Sequence, residues 1–197
     1  MSDSWSHRTS PADRAATAVA ALGPEVFGAW CAQVLTGVIG MDQLVAEPEP
    51  DPRWLADGAW SSWGPPETWA ERGMDYWPRV WAARSLLHQW TPEPEPAIVT
   101  GLADDHWRVR EMCAKVAAAH GLASTADACA GLVVGDDNAR VRIAALKVVG
   151  LLGESEHAES LAVATGDPDR RIAAAAAAAL TAMAERLDRP VQSLLGD

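Results

Sequence analysis

The chain has 197 residues; 49% are hydrophobic, enough for a real core, and 22% are charged, an ordinary share for a globular protein. Its formal net charge of −11 disfavours nucleic acid, whose affinity rests on Lys and Arg neutralising phosphates, and mainly predicts solubility. The three cysteines, Cys31, Cys113 and Cys129, are an odd number without C-x-x-C spacing, which fits reduced thiols better than a disulfide frame or zinc site.

The opening residues show no basic segment followed by an apolar run, and no uninterrupted apolar stretch has membrane-spanning length. A cytoplasmic location without a membrane is therefore expected. Ser10-Pro11-Ala12-Asp13 resembles a capping box with Pro at the first helical position, which predicts a helix through about Leu22, ended by Gly23-Pro24. A second helix, about 25–36, places Val26, Phe27, Trp30, Cys31 and Val34 on one apolar face. Together they read as an N-terminal helical cap over 1–45. Residues 46–68 carry dense Pro, acids and Trp with no helical period, so 46–74 reads as a Pro/Trp-rich acidic loop. Trp54, Trp60 and Trp63 argue that this loop docks on something, most simply the protein itself.

From Asp75 the chain repeats. The segments Asp75-YWP-Arg79-Val80, Asp104-DHW-Arg108-Val109, Asp136-DNA-Arg140-Val141 and Asp167-PDR-Arg171-Ile172 share D-x-x-x-R-[VI], recurring after 29, 32 and 31 residues. Each match opens a helix whose small or apolar residues fall three, four and seven positions after the Val or Ile. These are Met112, Cys113 and Val116; Ala144, Ala145 and Val148; Ala175, Ala176 and Ala179; and, in the first copy, Ala83 and Leu87. The Asp stands where a carboxylate can cap free N–H groups and complement the helix dipole. Shorter helices are expected near 94–103, 123–134 and 155–165, bounded by Gly121, Gly135, Gly153 and Gly166-Asp167-Pro168. The expected fold is all-α: an α-solenoid of four stacked helical hairpins over 75–187, with a tail at 188–197.

The units GLADDHWRVREMCAKVAAAHG, GLVVGDDNARVRIAALKVVGLLG and VATGDPDRRIAAAAAAALTAMA resemble HEAT-like repeats of the phycobilisome-lyase type, over 113 of 197 residues. The resemblance implies the fold. For function it implies only a range, from scaffolds to bilin lyases and a few enzymes. Copies one and four depart from it where Trp81 and Ala173 replace Arg110 and Arg142. The resemblance also implies a structural Asp/Arg ladder, carried here by Asp75, Arg79, Asp104, Arg108, Asp136, Arg140, Asp167 and Arg171.

Two candidate surfaces follow. Arg108 and Lys115 are seven apart on one helix, and Arg140 and Lys147 repeat the spacing on the next, giving a candidate anion-binding ridge in an acidic protein. The alternative is that these charges meet the protein's own acids. Trp77, Trp81 and Trp107 could line an aromatic groove or form a plain hydrophobic junction. No nucleotide-binding, metalloprotease or serine-hydrolase motif is present, no His-Glu pair suggests iron, and no metal or cofactor is expected.

The expected function is a non-enzymatic scaffold or adaptor that binds another protein or a peptide. The alternative is a HEAT-like repeat enzyme of the alkylpurine DNA glycosylase or bilin lyase kind; the net charge and the Ala-rich last copy count against DNA, and so against the first.

Overall fold

Prolines and small polar residues mark the helix starts of this chain, and a computed structural model that describes residues 9–56 and 64–195 shows the elements that they delimit. Trp60 and Trp63 of the acidic loop lie outside those residues. All regular structure among the described residues is helical, and no single helix there is long and apolar enough to cross a membrane. The chain divides into two compact units, Met1–Gly101 and Leu102–Asp197. The first matched copy lies in the first unit and the other three lie in the second.

In the first unit, α1 (Pro11–Leu22) starts where the Ser10 hydroxyl accepts the Asp13 N–H at 3.1 Å, with Pro in the first turn. Gly23, at φ 85°, turns the chain into α2 (Pro24–Leu35). After α3 (Met41–Ala46), the acidic segment is not wholly irregular: a short helix, α4 (Arg53–Ala56), forms inside it. Sequence reading excluded helix here because of the prolines, but Pro52 precedes the turn and costs it no hydrogen bond. Asp51 Oδ1 accepts the Arg53 N–H at 2.9 Å and starts the turn. Leu55 and Ala56 are buried, and α4 packs on α1 and on α5 (Trp77–His88). This part of the segment therefore docks on its own unit. The helix α5 also packs on α1 and α2, and α6 (Glu95–Gly101) packs on α2.

Aromatic residues fill this core. Trp69 is fully buried and meets Trp81 edge-on at 5.7 Å, and Trp77 stacks on Trp81 at 5.8 Å. Phe27, Trp30, Val34 and Leu86 complete the apolar interior. Such rings bury large areas, and offset or edge contacts suit their quadrupoles.

The second unit holds α7 (Trp107–His120), α8 (Ala126–Gly135), α9 (Ala139–Leu152), α10 (Ala158–Thr165), α11 (Arg170–Arg186) and α12 (Val191–Leu194). The long helices pack in sequence, α7 on α9 and α9 on α11, while the shorter α8 packs on α10. Cys113, Val116, Ala144, Ala145, Val148, Ala176 and Ala179 are buried, while Met112 and Ala175 are half-buried. Ala179 in the Ala-rich copy has a packing reason. A Cβ on Gly150 would lie 2.8 Å from the Ala179 backbone, so α9 and α11 approach too closely for larger residues. His157, 8% exposed, ties the shorter helices: its Nε2 lies 2.9 Å from Asp127 Oδ1, and its Nδ1 accepts the Glu154 N–H at 2.9 Å. These partners hold the ring between the two segments.

Candidate functional site

The long helices of the second unit begin with one hydrogen-bond relay, used three times. Asp104, Asp136 and Asp167 each accept, through Oδ1, the N–H two residues on, at 2.8 Å: those of His106, Asn138 and Asp169. His106 Nδ1, Asn138 Oδ1 and Asp169 Oδ1 then accept the N–H groups of Arg108, Arg140 and Arg171 at 3.3, 3.0 and 2.9 Å. The true N-cap is thus the residue two after the repeat Asp, and the Asp orders the approach to it.

That leaves the second carboxylate oxygen of the Asp for the preceding copy. Arg110 Nε meets Asp136 Oδ2 at 2.6 Å, and Arg142 Nη2 meets Asp167 Oδ2 at 2.6 Å. Arg110 also donates to the carbonyls of Asp104 and Asp105, at 2.8 and 3.1 Å, and Arg142 donates to that of Val133 at 2.7 Å. The carboxylates are almost fully buried, and the guanidiniums are less than one-fifth exposed. This corrects the ladder expected from sequence. The arginines that meet Asp136 and Asp167 are Arg110 and Arg142, the second of each R-V-R. Arg140 stands toward Glu111 at 3.9 Å, and Arg171 turns to Asp169, with contacts of 3.1 and 2.7 Å. Those hydrogen bonds hold the Asp169 carboxyl down at about 2. The signal for the true pairing was present: Arg110 and Arg142 are the residues missing from the copies with Trp81 and Ala173.

Two of the first arginines, Arg108 and Arg140, lie against Trp107. The Arg108 guanidinium carbon lies 4.5 Å from the Trp107 ring centroid, and that of Arg140, on the neighbouring α9, lies 5.8 Å from it. His106 stacks on the same indole at 5.9 Å and 25°. Glu111, 8% exposed, sits between the two helices, with Lys115 Nζ at 2.7 Å and the Arg140 guanidinium beyond it. Lys147 is exposed about two turns further along α9 from Arg140. Glu111 thus meets Lys115 and Arg140, and the Arg140 side chain is 64% exposed. A guanidinium can lie over an indole and still pair with a carboxylate through its N–H edge, in paired and directional bonds.

The structure separates the remaining candidates. Trp77 and Trp81 belong to the first unit and Trp107 to the second. Trp81, 3% exposed, is core, whereas Trp77 is half-buried. Asp75 and Arg79 both lie on the wall of a cleft in the first unit. Burial pushes the Cys31 and Cys113 thiols far up and that of Cys129 up to about 12, so none is poised as a thiolate nucleophile. Among the described residues no group of three His, Cys, Asp or Glu side chains is placed to hold a metal ion.

Scans of family models, of curated proteins and of solved structures found no match to this chain.

Proposed function

We propose that this protein is a non-enzymatic adaptor built on HEAT-like repeats stacked as a short α-solenoid, and that the Trp107 face of its long helices binds an acidic segment of a partner protein. The observation that carries the reading is the pair of guanidiniums, Arg108 and Arg140, on one half-buried indole. They come from two different repeats, so an extended ligand crossing α7 and α9 meets both. Lys115 and Lys147 continue the positive charge along the two helices, while the shorter helices expose Asp127, Glu156 and Glu159. Exposed positive charge of this kind steers association and orients an acidic partner.

The buried ion pairs between copies are made by Arg110 and Arg142, whereas Arg140 reaches Glu111 only at 3.9 Å with its side chain 64% exposed. The Arg140 guanidinium therefore stands at the surface, within reach of a partner. The test is fluorescence anisotropy with a labelled Glu-rich dodecapeptide at low salt, set against a Lys-rich peptide of equal length. Each arginine contributing about 1.4 kcal/mol corresponds to a tenfold change in Kd, so the Arg108→Ala, Arg140→Ala double variant should weaken Glu-rich binding by one to two orders of magnitude. The helical circular dichroism should be preserved. Equal binding of both peptides, or an unaffected double variant, contradicts the proposal.

A further inference from the structure

The first unit carries a cleft of about 590 Å³ between the end of α2, helix α3, the 3₁₀ turn Pro66–Thr68 and the start of α5. We infer that this cleft is a binding site for a small organic cation, an amine with an apolar body, distinct from the Trp107 face. The volume lies in the range of small-molecule sites, which combine an apolar wall with a few charged groups. Here the apolar surface comes from Val34, Ile39, Met41 and Pro78, with Val34 and Pro78 buried. The charged groups are Asp42, Glu67, Asp75 and Arg79.

Three carboxylates and one guanidinium line the cleft, a formal charge of −2. Asp42, Glu67 and Asp75 are all exposed and come from three different elements, α3, the 3₁₀ turn and the approach to α5. They do not converge as metal ligands. A bare divalent cation therefore finds no chelate, whereas an ammonium with a hydrocarbon body meets both features at once. It gains charge-assisted hydrogen bonds at the rim and buries its body on the apolar floor.

The experiment is isothermal titration of the full chain with 4-phenylbutylamine, 4-phenylbutanol and 4-phenylbutanoate, which share one apolar body and differ in charge. The amine should bind at least tenfold more tightly than the alcohol, and the carboxylate more weakly still. A Glu67→Gln, Asp75→Asn variant should lose at least tenfold in amine affinity, and raising the salt should weaken the amine alone. The Arg108→Ala, Arg140→Ala variant should bind the amine as the parent does, which keeps this site separate from the Trp107 face. Comparison of the three probes on the parent chain does not depend on any variant folding. Equal affinities across them, no amine binding at millimolar concentration, or an unaffected carboxylate variant would each overturn the assignment.

Discussion

Replacing Arg110 by Met leaves the Asp136 side chain, 2% exposed, without the guanidinium 2.6 Å away. It also removes the donors to the Asp104 and Asp105 carbonyls. Breaking a buried ion pair from one side costs roughly 3–5 kcal/mol. Because Arg110 is 17% exposed, water can partly replace it, and the lower end, about 3 kcal/mol, applies. In a unit of about 100 residues each kcal/mol moves the melting temperature by roughly 4–8 °C, so the second unit should melt about 12–24 °C lower. Arg140→Met is the control. Its side chain is 64% exposed and 3.9 Å from Glu111, so the cost should stay within about 0.5 kcal/mol. Urea denaturation followed by circular dichroism, with calorimetry, compares the two. A cycle adding Asp136→Asn, which keeps an oxygen for the Asn138 N–H, isolates the pair and should give a coupling above about 1.5 kcal/mol. Equal costs for Arg110→Met and Arg140→Met would falsify the assignment of the tie between copies.

Other perturbations follow from packing and charge. Gly150→Ala brings a methyl within 3 Å of Ala179 and should cost about 1–3 kcal/mol, as overpacking does, whereas Gly131→Ala on open α8 surface should stabilise by about 0.5–1 kcal/mol. The opposite order in a denaturant series would contradict the close crossing of α9 and α11. His88 is held below its ordinary 6.5 by burial first, and then by Arg84 and Arg14. Its unfolded form therefore binds protons first as pH falls, so its contribution, complete above 6.5, is lost on acidification toward the lower folded value. Stability of the first unit measured at pH 7.5 and 5.5 should fall less for His88→Gln than for the parent; equal slopes would remove the residue from that account.

Much of the local structure was legible in the sequence. The Ser10-Pro11 start, the Gly23 break and the three shorter helices depend on backbone geometry and capping chemistry within a few residues, which the sequence displays directly. Buried Cys113, Val116, Ala145 and Ala176 follow from the helical period alone. The helix at Arg53–Ala56 was missed because proline density masked an Asp51 cap that four residues suffice to use.

The partners of the arginines were not legible, and geometry explains why. Successive residues on an α-helix turn by about 100°, so Arg108 and Arg110 point about 200° apart. The motif shows two arginines on nearly opposite sides of one helix without showing which side meets the next copy. Packing of α7 on α9 decides it: Arg110 reaches Asp136, and Arg108 is left on the indole of Trp107. The cleft beside Asp75 and Arg79 is likewise a tertiary product, since its walls come from segments some thirty to forty residues apart. The sequence by itself determined the main helices and their repeat, because those rest on interactions within a few residues. Only the tertiary structure decided which charges lock the copies together and which face outward, because that depends on the rotation of each helix against its neighbour.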